Sequence, residues 1–172
     1  VLLRVEHLTR ENEFYNVDFE VRRGEILGFF GLMGAGRTEV MDTLFGLRKA
    51  DKGSVTMKGQ KLGTVKKAIT SGMAYITEDR KISGLNLIAS VKDNISLAYM
   101  DMITRAKCLI DFKKEKKISD SLIEKLRIKC TNRDTLAGTL SGGNQQKIVI
   151  AKWFMGDPDL LIMDEPTRGI DI

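Results

Sequence analysis

The chain has 172 residues, 42% of them hydrophobic, with 28 Lys and Arg against 23 Asp and Glu for a net charge of +5. That is enough apolar material for one domain with a real core and too little for two. Apolar runs such as Ile26 to Phe30 fall far short of the ~18 residues that cross a bilayer, and the N-terminus carries no charged-then-apolar leader, which leaves a cytosolic address as the default.

Leu2 to His7 reads as a short strand, and Val17, Phe19 and Val21 alternate with Asp18 and Glu20 in the period-2 pattern of a half-buried strand. Arg22 to Glu25 turns the chain into Ile26 to Phe30, a continuous apolar run with the look of a strand buried on both faces of a parallel sheet. A Gly-rich stretch, Gly31 to Gly36, then opens a helix marked by Val40, Met41, Leu44 and Phe45. Ser54 to Lys58 with Gly59-Gln60 predicts a small antiparallel hairpin, Val65 to Ser71 a short helix stopped by Gly72, and Met73 to Thr77 a buried strand. Ser90 and Asp93 form a capping box for a helix running to about Met100. Ile118, Leu122, Ile123 and Leu126 line one side of a further helix whose other side carries the lysines from Lys113 to Lys117. Leu160 to Met163 is the last apolar strand. Alternating strands and helices define an α/β architecture, with a helical insertion between about Ser90 and Met155.

Gly31 to Thr38 fits the pattern G-x-x-x-x-G-K-[ST], except that Arg37 stands where lysine belongs. Glycines at these places let backbone N–H groups converge on a phosphate, and the helix N-terminus adds roughly +0.5 of a charge. The Thr38 hydroxyl is placed to ligate Mg²⁺ between two phosphates. A planar guanidinium at position 37 is bulkier than an ammonium and prefers bidentate geometry, so γ-phosphate alignment suffers more than binding. The alternative is a turn that holds no ligand.

Leu140-Ser141-Gly142-Gly143-Asn144-Gln145-Gln146 opens an apolar-periodic helix, with Ser141 as N-cap and hydroxyl donor toward a negative ligand. Leu160 to Met163 ends in Asp164-Glu165, where the first carboxylate suits Mg²⁺ and the second suits polarisation of an attacking water. A strand ending in two carboxylates is common as a solvated strand end. Behind a phosphate loop and a Leu-Ser-Gly-Gly turn, it becomes the third part of a specific signal.

These segments, together with Tyr75 to Arg80 and Asp164 to Asp171, resemble the nucleotide-binding domain of ATP-binding cassette proteins over essentially the whole chain. The resemblance is nearest to the second, C-terminal cassette of bacterial sugar importers that carry two fused cassettes, the group handling ribose, galactose, xylose and arabinose. It implies a P-loop NTPase core with a mostly parallel sheet, a small antiparallel β subdomain and a helical insertion, truncated at the C-terminus. The core would take about 1–89 and 156–172, and the helical subdomain, ending in the signature helix, about 90–155.

Carried over, the resemblance makes ATP and Mg²⁺ the cofactors. Gly31, Gly34, Ala35, Gly36, Arg37, Thr38 and Glu39 become the nucleotide-binding residues. Leu140, Ser141, Gly142, Gly143, Asn144 and Gln145 become the signature that closes over a partner's ATP. Glu165 is the catalytic carboxylate; Thr38, Asp164 and Glu78 serve the metal; Asp171 belongs to the loop crossing the dimer interface. Glu78 stands where the family usually has glutamine, and Leu8 to Phe14 is too short to supply the usual adenine platform, which makes Phe14 and Tyr15 core or strand residues.

The implied partners are a second cassette, transmembrane permease subunits and, indirectly, a periplasmic or extracellular sugar-binding protein, at the cytoplasmic face of the cell membrane. Arg37 and Glu78 mark this chain's own phosphate site as degenerate, with the signature acting in trans, and the 172 residues alone are expected to hydrolyse no ATP. One alternative is a soluble cassette ATPase on nucleic acid, suggested by Lys113 to Lys117, although Asp111, Glu115 and Asp120 dilute that run and no nucleic acid is expected. Another is a binding-only regulatory cassette. Met33, Met41 and Met73 read as packing residues, Trp153 as an anchor of the signature helix, His7 as a strand-edge histidine, and Cys108 and Cys130 as reduced thiols, with neither disulfide nor zinc spacing.

Overall fold

The computed structural model describes residues 1–32, 34–105 and 109–166, so Met33, Cys108 and the segment Thr167 to Ile172, including Asp171, lie outside the described residues. In chain order the elements are β1 (Leu3–Arg10), β2 (Phe14–Val21), α1 (Arg37–Phe45), β3 (Lys52–Met57), β4 (Gln60–Lys61), α2 (Val65–Thr70) and β5 (Met73–Ile76). They continue with α3 (Val91–Ser96), β6 (Thr104–Arg105), β7 (Leu109–Ile110), α4 (Phe112–Lys125), α5 (Gly142–Phe154) and β8 (Leu160–Met163). The chain divides into two compact units, Val1–Tyr75 with Asp159–Ile162, and Ile76–Pro158 with Met163–Ile172.

In the first unit an antiparallel sheet runs in the order β2-β1-β3-β4. Its alternation is the one the sequence carries: Leu3, Val5, Val55 and Met57 are buried, while Arg4 and Glu6 stay out and Arg4 pairs with Glu20 at 2.7 Å. The β1–β2 register shifts between Val5 and Leu8, where exposed His7 takes φ 49° and its Nδ1 lies 3.0 Å from the Asn16 side-chain oxygen. α1 buries Val40, Met41, Leu44 and Phe45, and the Phe45 ring packs against Tyr75 with centroids 5.5 Å apart. Gly72 ends α2 as expected. Its carbonyl accepts from the Asp159 and Leu160 amides at 2.8 and 3.1 Å, and the Lys58 ammonium pairs with the Asp159 carboxylate.

The reading of Ile26 to Phe30 as a buried strand does not hold. Among the described residues it joins no ladder, and Ile26 and Phe30 are 97% and 100% exposed. Phe29 alone finds a ring, Phe19, at 5.0 Å. An apolar run specifies that it favours burial but not which strand covers it. Parallel pairing among the described residues is confined to β5 and β8, whose partners advance in step from Gly72–Leu160 to Ile76–Asp164.

In the second unit α3, α4 and α5 pack around Val91, Ile95, Ile103, Leu122, Ile148 and Val149. The capping box forms: the Ser90 hydroxyl accepts from the Asp93 amide, and Asp93 accepts from the Ser90 amide. The helix it starts is shorter than the spacing predicts. It stops at Ser96, and Leu97–Ile103 continues as 3₁₀ turns broken at Tyr99 (φ −134°, ψ 43°). α4 keeps its lysines outward and buries Glu115, which accepts a hydrogen bond from the Ser96 hydroxyl at 2.9 Å. No helix of the described residues is long and apolar enough to cross a membrane.

Candidate functional site

In the first unit, Gly34 and Gly36 both take φ +78°, a conformation that strains any side chain with a Cβ. Gly36 is also buried: a Cβ there would sit 3.0 Å from the Glu13 carbonyl oxygen and 3.7 Å from the Phe14 Cβ. The tip of the β1–β2 hairpin therefore rests on the last glycine of the loop. α1 starts at Arg37 without a side-chain cap, so its first amides and its dipole face the loop. Oxyanions fit such a cradle.

Behind the loop an ion network braces the hairpin to α1. Glu13 accepts from Arg10 at 2.6 Å and from Arg48 at 2.9 Å; Arg48 also holds Asp42 at 2.9 Å, and the Tyr75 hydroxyl donates to the other Asp42 oxygen at 3.1 Å. The hydrogen bond to Asp42 raises the Arg48 pKa above its ordinary value. Sequence reasoning missed this brace because its members come from the hairpin tip, α1, the turn after α1 and β5, with no common spacing.

In the second unit, the Asp164 amide donates to the Ile76 carbonyl at 2.9 Å, which prolongs the ladder and buries Asp164 at the strand end. Glu165 follows at φ 42° and is exposed. A left-handed glutamate costs on the order of 1 kcal/mol and is a feature of sites that aim a side chain. Glu78 is half-buried just after β5. The turn behind it is pinned by Asp79, which accepts from the Lys81 and Ile82 amides, and by a 2.7 Å hydrogen bond between the Thr77 and Ser83 hydroxyls.

Ser141 occupies the N-cap position of α5, but its hydroxyl makes no cap hydrogen bond and instead accepts from Asn144 Nδ2 at 2.9 Å. Asn144 Oδ1 in turn accepts from the Lys129 amide at 2.8 Å, and the Gln145 side chain folds back to donate to the Ala137 and Leu140 carbonyls. The side chains of this turn hold the loop before it and leave the helix start itself open. Hydroxyl and carboxylate oxygens, the donors offered by Thr38, Asp164 and Glu78, are the type a hard cation such as Mg²⁺ takes.

The fold matches solved ATP-binding cassettes. Against the dimeric cassette MJ0796 in a post-hydrolysis state bound to ADP and Pi, the TM-score is 0.80 at 18% identity, covering 99% of this chain and 76% of that one. The ABC transporter family matches residues 14–168, and the chain belongs to that family. It is 49% identical over its whole length to the ribose import ATP-binding protein RbsA of Halalkalibacterium halodurans, of which it covers 35%. It is 47% identical over 99% of its length to that of Oceanobacillus iheyensis, again covering 35%. The chain thus spans about a third of the length of the curated relatives it matches.

Proposed function

We propose that this chain is the second cassette of an ATP-driven bacterial sugar importer, coupling ATP binding and hydrolysis to uptake of a monosaccharide. The observation that carries the reading is near-50% identity along the whole chain to ribose import ATP-binding proteins. The glycine cradle and the uncapped α1 support the phosphate role of Gly31 to Thr38 and Glu39. The open start of α5 supports Leu140 to Gln145 as the signature acting on a partner's nucleotide.

In this reading Thr38, Asp164 and Glu78 hold Mg²⁺, which supplies charge neutralisation at the phosphates when bound. Glu165 orients and deprotonates water, a role its exposure and left-handed backbone suit. Arg37 and Glu78 weaken the chain's own phosphate site, and Asp171 belongs to the loop that crosses the interface with the partner cassette. Residues of about 90–155 form the helical subdomain, and about 1–89 with 156–172 the core. The partners are a second cassette, permease subunits and, through them, a sugar-binding protein, at the cytoplasmic face of the membrane.

The test is uptake of labelled ribose into vesicles holding the full-length protein with its permease and MgATP inside. Ser141→Arg is expected to reduce uptake at least about 100-fold, the loss of roughly 3 kcal/mol of transition-state stabilisation. Uptake at the wild-type rate would overturn the reading.

A further inference from the structure

Lys152 is a charged side chain that the proposed function does not use. It lies on α5, about three turns beyond the signature start, and it is only 7% exposed. Its ammonium donates to the Gly84 carbonyl at 2.6 Å and lies 5.1 Å from the centroid of the Trp153 ring. Among the described residues no carboxylate forms an ion pair with it. Burial lowers its pKa to about 8. A buried ammonium answered by one carbonyl and a ring face, with no carboxylate, is a poor choice for packing alone, since an apolar chain of the same length would fill the space without desolvating a charge.

The carbonyl it holds is at a particular place. Gly84 ends the π-helical turn Arg80–Gly84, the turn that begins at Asp79 immediately after Glu78. A Cβ on Gly84 would lie 3.2 Å from Val149 Cγ2. Val149 and Lys152 are three residues apart on one face of α5, so the helix grips Gly84 twice, by close packing and by the hydrogen bond. The turn is stiff in itself: the Leu85 amide donates to the Arg80 carbonyl at 2.8 Å, and the Ser83 hydroxyl bonds both the Asp79 carbonyl and Thr77. A short hydrogen-bonded path therefore runs from Lys152 to the residues flanking Glu78.

We propose that Lys152 is a positioning residue that locks the signature helix to the Glu78 turn, so that the two move as one body. On the function proposed above, a displacement at Glu78 then reaches the Ser141 end of α5 without loss, and closure over the partner's nucleotide reaches Glu78. Lys152 touches no reacting atom; it acts through Gly84.

The experiment compares Lys152→Met, which keeps most of the stem and removes the donor, with Lys152→Arg, which keeps a donor, in the full-length protein assembled with its permease. For Lys152→Met, kcat for ATP should fall at least about tenfold while KM changes less than about threefold, the signature of a lost transition-state interaction. Lys152→Arg should return kcat to within about threefold of wild type. Gly84→Ala, which pushes the turn off Val149 from the other side, should give a similar loss, and the double variant should be no worse than either single one.

In nucleotide-free protein, amide exchange across 80–85 should rise at least about fivefold in Lys152→Met and stay at the wild-type rate in Lys152→Arg. Unchanged exchange, a kcat within twofold of wild type, or faster exchange spread over the whole chain would each overturn the proposal. A wild-type assembly that hydrolyses no ATP would instead overturn the proposed function on which it rests.

Discussion

Two kinds of helix start coexist in this molecule. α2, α3 and α4 are closed by a side chain: Thr64 accepts from Lys67, Ser90 from Asp93 and Asp111 from Lys114. α1 and α5, which follow the two glycine-bearing motifs, begin without a side-chain cap. A cap satisfies one of the amides that a helix start leaves over. Where only the fold is at stake, the sequence supplies that cap. At α1 the N-cap is Gly36, which has no side chain to offer, and at α5 the Ser141 hydroxyl is engaged by Asn144, so both ends stay available to an anion.

The two open starts also differ from each other. At α1 the loop conformation comes from the backbone, with glycines at φ +78° and a hairpin carbonyl resting on one of them. At α5 the position comes from side chains, Asn144 and Gln145 near the start and Lys152 toward the other end. Backbone geometry of the first kind tolerates no substitution, whereas side-chain geometry of the second kind tolerates a replacement that keeps the donor.

Substitutions can break this comparison. Gly36→Val puts a branched side chain at φ +78° against the Glu13 carbonyl, and should weaken nucleotide binding at this loop about 100-fold, or roughly 3 kcal/mol, by titration of the full-length protein. The pH dependence of Lys152 gives a smaller effect. Its folded pKa of about 8 lies below its ordinary 10.5, so the burial cost of the ammonium is present below pH 8 and is relieved as pH rises to about 10.5. Wild-type stability should thus gain on that of Lys152→Met by on the order of 3 kcal/mol across that window, read as the difference between their unfolding curves. A flat difference would contradict the assignment.

Closed starts should behave as fold elements alone. Ser90→Ala should lower stability by about 1 kcal/mol and leave uptake unchanged, and Thr64→Ala, whose cap bond is a long 3.3 Å, should cost only about 0.5 kcal/mol. Loss of uptake in a variant that remains folded would erase the distinction.

Features written in local chemistry were legible in the sequence. The Ser90–Asp93 box, the stop at Gly72, the last strand at Leu160 and the outward lysines of α4 all follow from periodicity and caps. What depended on distant partners was not. The apolar run Ile26 to Phe30 announced burial that the described residues do not provide, and no residue type signals that the helix gives way after Ser96 to 3₁₀ turns broken at Tyr99. For the candidate site, the glycines, hydroxyls and carboxylates stood out as motifs, because phosphate chemistry demands those types at short spacing. The Arg10–Glu13–Arg48–Asp42 brace and Lys152 did not, since their partners lie far off in sequence.

On the proposed function, the turn Ser141 to Asn144 serves a partner's nucleotide while this chain's own phosphate loop is the weaker site. Photocleavage of the full-length protein trapped with MgADP and vanadate cuts the backbone beside the bound vanadate and reads this directly. Strong cuts within Ser141 to Asn144 and weak ones within Gly31 to Thr38 are the expected result. Cuts confined to Gly31 to Thr38, with Ser141 to Asn144 intact, would contradict it.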